Sequence, residues 1–251
     1  MDCEPVRPTA ASRVRWPVFT QTWEPTVFLN WPVDPDAAAR LMPAGCRPDT
    51  FDGITYVGLI PLVIRRVRTL GSPPLPYLGT FTELNVRLYS VDGEGRRGIV
   101  FLSLDAERLV PVLVARATYG LPYMWSKMSY EAQGSEHTWH SVRRWPQPRG
   151  AHARVRVTAG APITDPDPLA VFLSARWALH TTLPGGRPAR AMAEHLVWAL
   201  HRATLQELEE NVIEAAGLPR PTGEPHVMFS PGVTARIGPP RPVQGPTAVA
   251  G

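Results

Sequence analysis

Residues 82–89 read Thr-Glu-Leu-Asn-Val-Arg-Leu-Tyr, and the period of that stretch decides the fold. Side chains alternate across a strand, so Glu83, Asn85, Arg87 and Tyr89 share one face while Leu84, Val86 and Leu88 share the other. A strand divided in this way has two readings. In the first, it is an antiparallel strand whose polar face meets water. In the second, it is a wall of a barrel whose apolar face packs outward, while its polar face lines a cavity where Glu83 and Arg87 orient a polar ligand.

The next stretch, Gly98-Ile-Val-Phe-Leu-Ser-Leu-Asp105, is almost continuously apolar, the mark of a strand covered on both sides. Other runs rich in Val, Ile, Tyr, Phe and Trp fall at 26–31, 54–64, 79–90, 123–130, 137–142, 152–158 and 224–237, set apart by Gly, Pro and Asp turns. Helix signals are fewer. Asp34 precedes Pro35 and a short alanine run, Asp105 is placed to cap a helix reaching Ala117 across Pro111, and two more helices are expected at about 168–179 and 203–216, the last ended by Gly217. Strands outnumber helices, which predicts an α+β protein with the sheet curled into a partly closed barrel.

Composition sets the outer limits. A chain of 251 residues buries a sizeable core, and its 29 prolines favour short elements joined by rigid turns. Residues 1–15 and 238–251 carry little that packs and are expected to be a flexible start and a disordered tail around one domain, 16–237. The 26 basic residues are interspersed with 22 acidic ones, and no nucleic-acid-binding motif appears, so no nucleic-acid partner is expected. The longest apolar run, Gly53–Ile64, is broken by Thr55, Gly58 and Pro61, too short to span a membrane. With no secretory pattern at Met1–Pro8 and only Cys3 and Cys46, a cytoplasmic protein without a disulfide framework is expected. His137/His140 and His195/His201 lack metal-ligand spacing, and no glycine-rich phosphate loop occurs; the reading is therefore of surface histidines, with neither metal nor cofactor.

Five motifs in order carry a resemblance: Glu83-Leu-Asn-Val-Arg87; Phe101-Leu-Ser-Leu-Asp105; Gly120-Leu-Pro-Tyr123 with Met128; Phe172-Leu-Ser-Ala-Arg-Trp177; and Ala216-Gly-Leu-Pro219 with Phe229-Ser-Pro-Gly-Val233. Together they resemble the YqjF-like family of bacterial proteins from about Trp16 to Ile237. That family is distantly similar to acetoacetate decarboxylase, which implies a double-layered, cone-shaped β-barrel around a central pocket. The resemblance also implies that Glu83 is the pocket carboxylate, with Pro76-Tyr77 upstream of it. In the decarboxylase, two adjacent lysines follow a Gly-x-Pro, one forming an imine with the keto acid and the other lowering its pKa. Laid on Gly120-Leu-Pro122, those positions fall on Tyr123 and Met124, neither of which forms an imine.

Lys127 is the only lysine in the chain. Four residues beyond Tyr123, it returns to the same strand face displaced by roughly 13 Å. It belongs at a strand end, stem over Trp125 or Tyr123 and ammonium in water. The expected pocket gathers Glu83 as acid-base group, Tyr123 as oxygen donor and Arg87 as anion anchor. Asn85, Ser103, Arg116, Trp125 and Lys127 complete the candidate binding set. The function expected is cofactor-free acid-base and enolate chemistry on a small carbonyl or carboxylate compound, such as a lyase, dehydratase, cyclase or decarboxylase without a Schiff-base lysine. Two alternatives stand beside it: a pocket that binds or senses a hydrophobic metabolite without turnover, and an interaction module using an exposed sheet edge. A homo-oligomer is compatible with any of them.

Overall fold

The computed structural model describes residues 3–243. In chain order the strands are β1 Phe19–Val33, β2 Cys46–Pro48, β3 Thr55–Thr69, β4 Phe81–Asp92, β5 Arg97–Ala106, β6 Tyr123–Gln133, β7 Glu136–Trp145, β8 His152–Pro162, β9 Ala178–Thr182, β10 Pro188–His195, β11 His201–Glu210, β12 His226–Ser230, β13 Val233–Ile237 and β14 Arg241–Pro242. Four short helices interrupt them: α1 Pro35–Ala39, α2 Leu109–Tyr119, α3 Pro168–Ser174 and α4 Val212–Ala215. The chain is mostly sheet, and the strands close on themselves twice. One ring runs β1-β3-β4-β5-β9-β10-β13 and returns to β1; the other runs β1-β3-β4-β5-β6-β7-β8-β11-β12 and also returns to β1.

The two rings share the wall β1-β3-β4-β5, and this explains the first stretch. All twelve residues of β4 are buried. Leu84, Val86 and Leu88 point into the larger ring, where they pack with Leu29, Leu59, Trp139, Val155 and Val157 in a solid core. Glu83, Asn85 and Arg87 point into the smaller ring, which holds a cavity. The water-facing reading of this strand therefore fails, because a second ring occupies the side where water would be.

Long β1 belongs to both rings by changing partner along its length. Phe19–Trp23 pairs with β13, and Thr26–Asn30 pairs with β12. Its pairing with β3 is irregular between Trp23 and Thr26, where the strand turns from one ring to the other.

Several local expectations are corrected. Asp105 caps no helix. It lies within β5, one residue before its end, and its buried carboxylate accepts from Nε and Nη2 of Arg143 at 2.9 and 2.7 Å and from the Ser126 hydroxyl at 2.6 Å. Arg143 is thus an interior residue. Helix α2 starts at Leu109, so Pro111 sits in its first turn, where no backbone N–H is required. Gly120 ends that helix at φ 64°, and a Cβ there would fall 2.1 Å from the Thr182 carbonyl oxygen.

Residues 201–210, full of helix formers, are the strand β11, because β8 and β12 flank them and Glu207 meets Arg154 and Arg156 across the pairing. Residues 178–182 are likewise the strand β9 and not the end of α3. The N-terminal segment is laid along the sheet: Glu4 bonds to Gly95 and Arg97, and Val14 N–H donates to Glu194. Gly238–Val243 runs beside β10, while the remainder of the expected tail, 244–251, and residues 1–2 lie outside the described residues.

The Asp105–Arg143 pair ties β5 to β7 with both groups out of water. Removing one partner from such a pair leaves the other charge uncompensated. Arg143→Met is expected to lower unfolding free energy by about 3–5 kcal/mol in chemical denaturation. Arg144→Met, on the exposed neighbour, is expected to cost under about 1 kcal/mol.

Candidate active site

The cavity of the smaller ring has a volume of about 290 Å³. Phe19, Trp23, Phe28, Ile60, Phe101 and Leu104 make much of its wall, and the polar groups of β4 form a line along one side. Val110 and Val114 of α2 line it too and are exposed, which puts the rim there.

At the rim end, the Tyr123 hydroxyl donates to Glu83 Oε2 at 2.8 Å. Tyr123 reaches this place because β6 starts beside β5 in parallel, Leu104 opposite Tyr123, immediately after the Gly120-Leu-Pro turn. Burial pushes the Glu83 carboxyl up to about 7, against the pull of the Tyr123 hydroxyl and the neighbouring Asn85 amide. Burial and the charge of Glu83 together hold Tyr123 well above the usual phenol range, so it remains a donor at any physiological pH. A carboxyl divided between its two forms near neutrality beside a fixed O–H donor can take a proton and give it back.

At the other end lies Arg87, only 8% exposed. Its Nη2 donates to the Leu173 carbonyl at 2.7 Å and lies 3.3 Å from the Tyr89 hydroxyl, and its guanidinium rests over the Phe28 and Tyr89 rings. Gly58 sits opposite it on β3, where a Cβ would come 2.9 Å from Asn30 Oδ1 and 3.3 Å from Arg87 Cγ; glycine is what leaves room for the arginine stem.

His195 closes this end. Its Nδ1 lies 2.6 Å from the Leu196 carbonyl, which can only accept, so Nδ1 carries the proton and Nε2 presents a lone pair. Trp23, Trp177 and Trp198 surround the ring. Burial pushes the imidazole down to about 4 against the Leu196 bond, with the Arg87 charge adding to the depression, and it is neutral at pH 7. Arg176, also buried, lines the same end but is occupied by Asp49.

Of the expected site residues, Glu83, Asn85, Arg87 and Tyr123 line the cavity together. Ser103 does not. The β4–β5 register slips by one residue, Val86 facing Ser103 but Arg87 facing Phe101, so Leu102 is extra and Ser103 turns to the side of Val86, away from the cavity. Arg116 lies outside: it donates to the Tyr123 carbonyl at 2.8 Å and packs over Trp145.

Trp125 and Lys127 are likewise not among the lining residues. β6 follows β5 only as far as Trp125, and beyond that point the face carrying Tyr123 looks onto solvent. Trp125 stacks under Arg144 at the surface, and Lys127 is exposed. Arg176 was not anticipated, and His195, expected at the surface, is buried among Trp23, Trp177 and Trp198. Among the described residues no group of three or more His, Cys, Asp or Glu stands ready to hold a metal, and no helix is long and apolar enough to cross a membrane.

This architecture is the acetoacetate decarboxylase-like fold. An acetoacetate decarboxylase-like enzyme from Sphingomonas wittichii RW1 superposes with a TM-score of 0.63 at 13% identity, over 96% of this chain and 99% of that one. Acetoacetate decarboxylase from Legionella pneumophila gives 0.62 at 11%, over 96% and 94%. The enduracididine biosynthesis enzyme MppR, complexed with the condensation product of pyruvate and imidazole 4-carboxaldehyde, gives 0.63 at 17%, over 94% of each chain. Within that fold the chain belongs to the DUF2071 family, described as "Uncharacterized conserved protein", which matches residues 20–234. The uncharacterized protein YqjF of Bacillus subtilis (strain 168) is 30% identical over 213 residues, 85% of this chain and 87% of that one.

The raised carboxyl has a consequence for stability. Folded Glu83 keeps its proton up to about pH 7, whereas the unfolded chain releases it near 4.5. The group's contribution is therefore fully present below about 4.5 and is lost as pH rises through about 7. Glu83→Gln has no proton to lose, so the Tm of the variant minus that of the wild type is expected to climb between about pH 4.5 and 7 in thermal scans and to level off above.

Proposed function

We propose that this chain is an enzyme acting on a small carbonyl or carboxylate compound by acid-base and enolate chemistry, with no covalent link to lysine. The observation that carries the reading is the Glu83–Tyr123 pair, a near-neutral carboxyl bonded to a permanent O–H donor inside an apolar cavity. Glu83 removes or returns a proton at the carbon beside a carbonyl. Tyr123 shifts its hydrogen bond to the oxygen as charge grows there, in surroundings where water does not compete. Arg87 holds the anionic part of the molecule by a charged hydrogen bond. Lys127 stands in solvent beyond the place where β6 leaves β5, which argues against an imine on the chain. The similar enzyme MppR binds pyruvate and a pyruvate adduct, compounds of the same carbonyl-acid class.

The test is exchange of carbon-bound hydrogen in D2O, followed by mass spectrometry over a panel of ketones and keto acids. Wild-type protein is expected to introduce deuterium beside the carbonyl. Glu83→Gln is expected to slow this by about 10²–10⁴-fold. Tyr123→Phe, which removes one oxyanion donor, is expected to cost about 10²–10³-fold. Borohydride treatment with the same panel is expected to leave the intact mass unchanged; an adduct on Lys127 would contradict the proposal. Since most of the cavity wall is apolar, binding or sensing of a hydrophobic metabolite is the second reading. It is favoured if members of the panel saturate the protein and emerge without deuterium.

A further inference from the structure

The two polar ends of the cavity are far apart, and each is unfinished in a different way. Glu83 and Arg87 are four residues apart on one extended strand, which places their Cα atoms about 13 Å from each other. The guanidinium leans further away, toward Tyr89, Phe28 and the Leu173 carbonyl. The influences acting on the Glu83 carboxyl are its burial, Tyr123 and Asn85, with no pull from the Arg87 charge. Between the two ends Ile60, Leu62, Phe101 and Leu104 line the wall beside Asn85, and the polar side chains of Gln21, Thr26 and Thr69 also reach the cavity.

Arg87 is a buried cation whose charge no neighbouring carboxylate balances among the described residues. Asp49 faces Arg97 and Arg176, Asp92 faces Arg190, and Asp105 faces Arg143. Among the described residues no carboxylate pairs with Arg87. Its Nη2 reaches only neutral oxygens, Nε is buried without a partner, and Nη1 has no protein acceptor. An unpaired buried cation costs several kcal/mol, which an incoming anion offsets. His195 lines the same cavity within reach of the Arg87 charge, and with Nδ1 engaged by Leu196 its Nε2 lone pair meets no donor among the described residues. A carboxyl group completes both: one oxygen accepts from Arg87, and the other shares a single proton, taken up from solvent, with the imidazole.

From this geometry we infer that the ligand is an elongated amphiphile, a carboxylate whose head seats at Arg87 and His195, whose apolar body fills the middle of the cavity, and whose reacting carbonyl lies at the far end beside Glu83 and Tyr123. A short keto acid, with its ketone next to the carboxylate, cannot reach both ends. This rests on the reading of the cavity as the active site and specifies what enters it.

Calorimetric titration of the full chain with butyrate, hexanoate, octanoate, octanol and octylammonium tests the inference without needing turnover. Affinity for the acids is expected to rise by about fourfold for each methylene that enters the cavity. Octanoate is expected to bind at least about tenfold more tightly than octanol or octylammonium, the worth of one hydrogen bond to a charged group. Arg87→Met is expected to remove the preference for octanoate over octanol while keeping the dependence on length. Arg87→Lys is expected to keep most of the preference, and Glu83→Gln all of it. Equal binding of butyrate and octanoate, or of octanoate and octylammonium, overturns the inference. So does an unchanged preference in Arg87→Met; if that variant does not fold, the wild-type comparison among the three octyl compounds decides alone. Loss of deuterium exchange with this binding pattern intact would sink the proposed chemistry and leave the ligand class standing.

Discussion

One strand buried on both faces is the constraint from which the rest follows. β4 carries Leu84, Val86 and Leu88 toward one ring and Glu83, Asn85 and Arg87 toward the other. A buried acid, amide and cation are expensive to hold, and the fold tolerates them because the opposite face of the same strand anchors a large apolar core. The smaller ring is left with room inside, and the shared wall sets which side chains look into that room.

Desolvation then makes chemistry out of ordinary residue types. Glu83 and Tyr123 on a wet surface would be a charged carboxylate and a phenol with little influence on each other. In the cavity they form one hydrogen-bonded unit, with the carboxyl near neutrality and the phenol locked in its protonated form. The same withdrawal of water keeps His195 neutral, and beside it Arg87 has no carboxylate partner among the described residues. Elsewhere the interior charges are paired, as in Asp105 with Arg143 and Asp49 with Arg176, and those hold the framework.

Much of this was legible in residues 82–89, whose strict alternation assigns each side chain to a face. It could not say what lay beyond each face, because that depends on ring closure between strands distant in sequence. The Gly120-Leu-Pro-Tyr123 segment located the phenol. Ser103 was misplaced because a one-residue bulge at Leu102 reverses the alternation, and bulges leave no periodic trace. Lys127 was expected at a strand end, and that it lies outside the cavity altogether depends on where β6 parts from β5. Asp105 carried the pattern of a helix cap and serves as a buried ion-pair partner, since a capping aspartate and a paired one look alike in sequence. β11 is built from helix formers, and its two neighbouring strands override their preference.

The central claim is that the polar face of β4 is buried and that Glu83 is bonded there to Tyr123. The direct measurement is a carbon-13 NMR titration of the Glu83 side-chain carboxyl, assigned by the signal missing from Glu83→Gln. A midpoint close to 7 is the expected result. A midpoint near 4.3, the value of a glutamate in water, would mean that the carboxyl is solvated and would contradict the account.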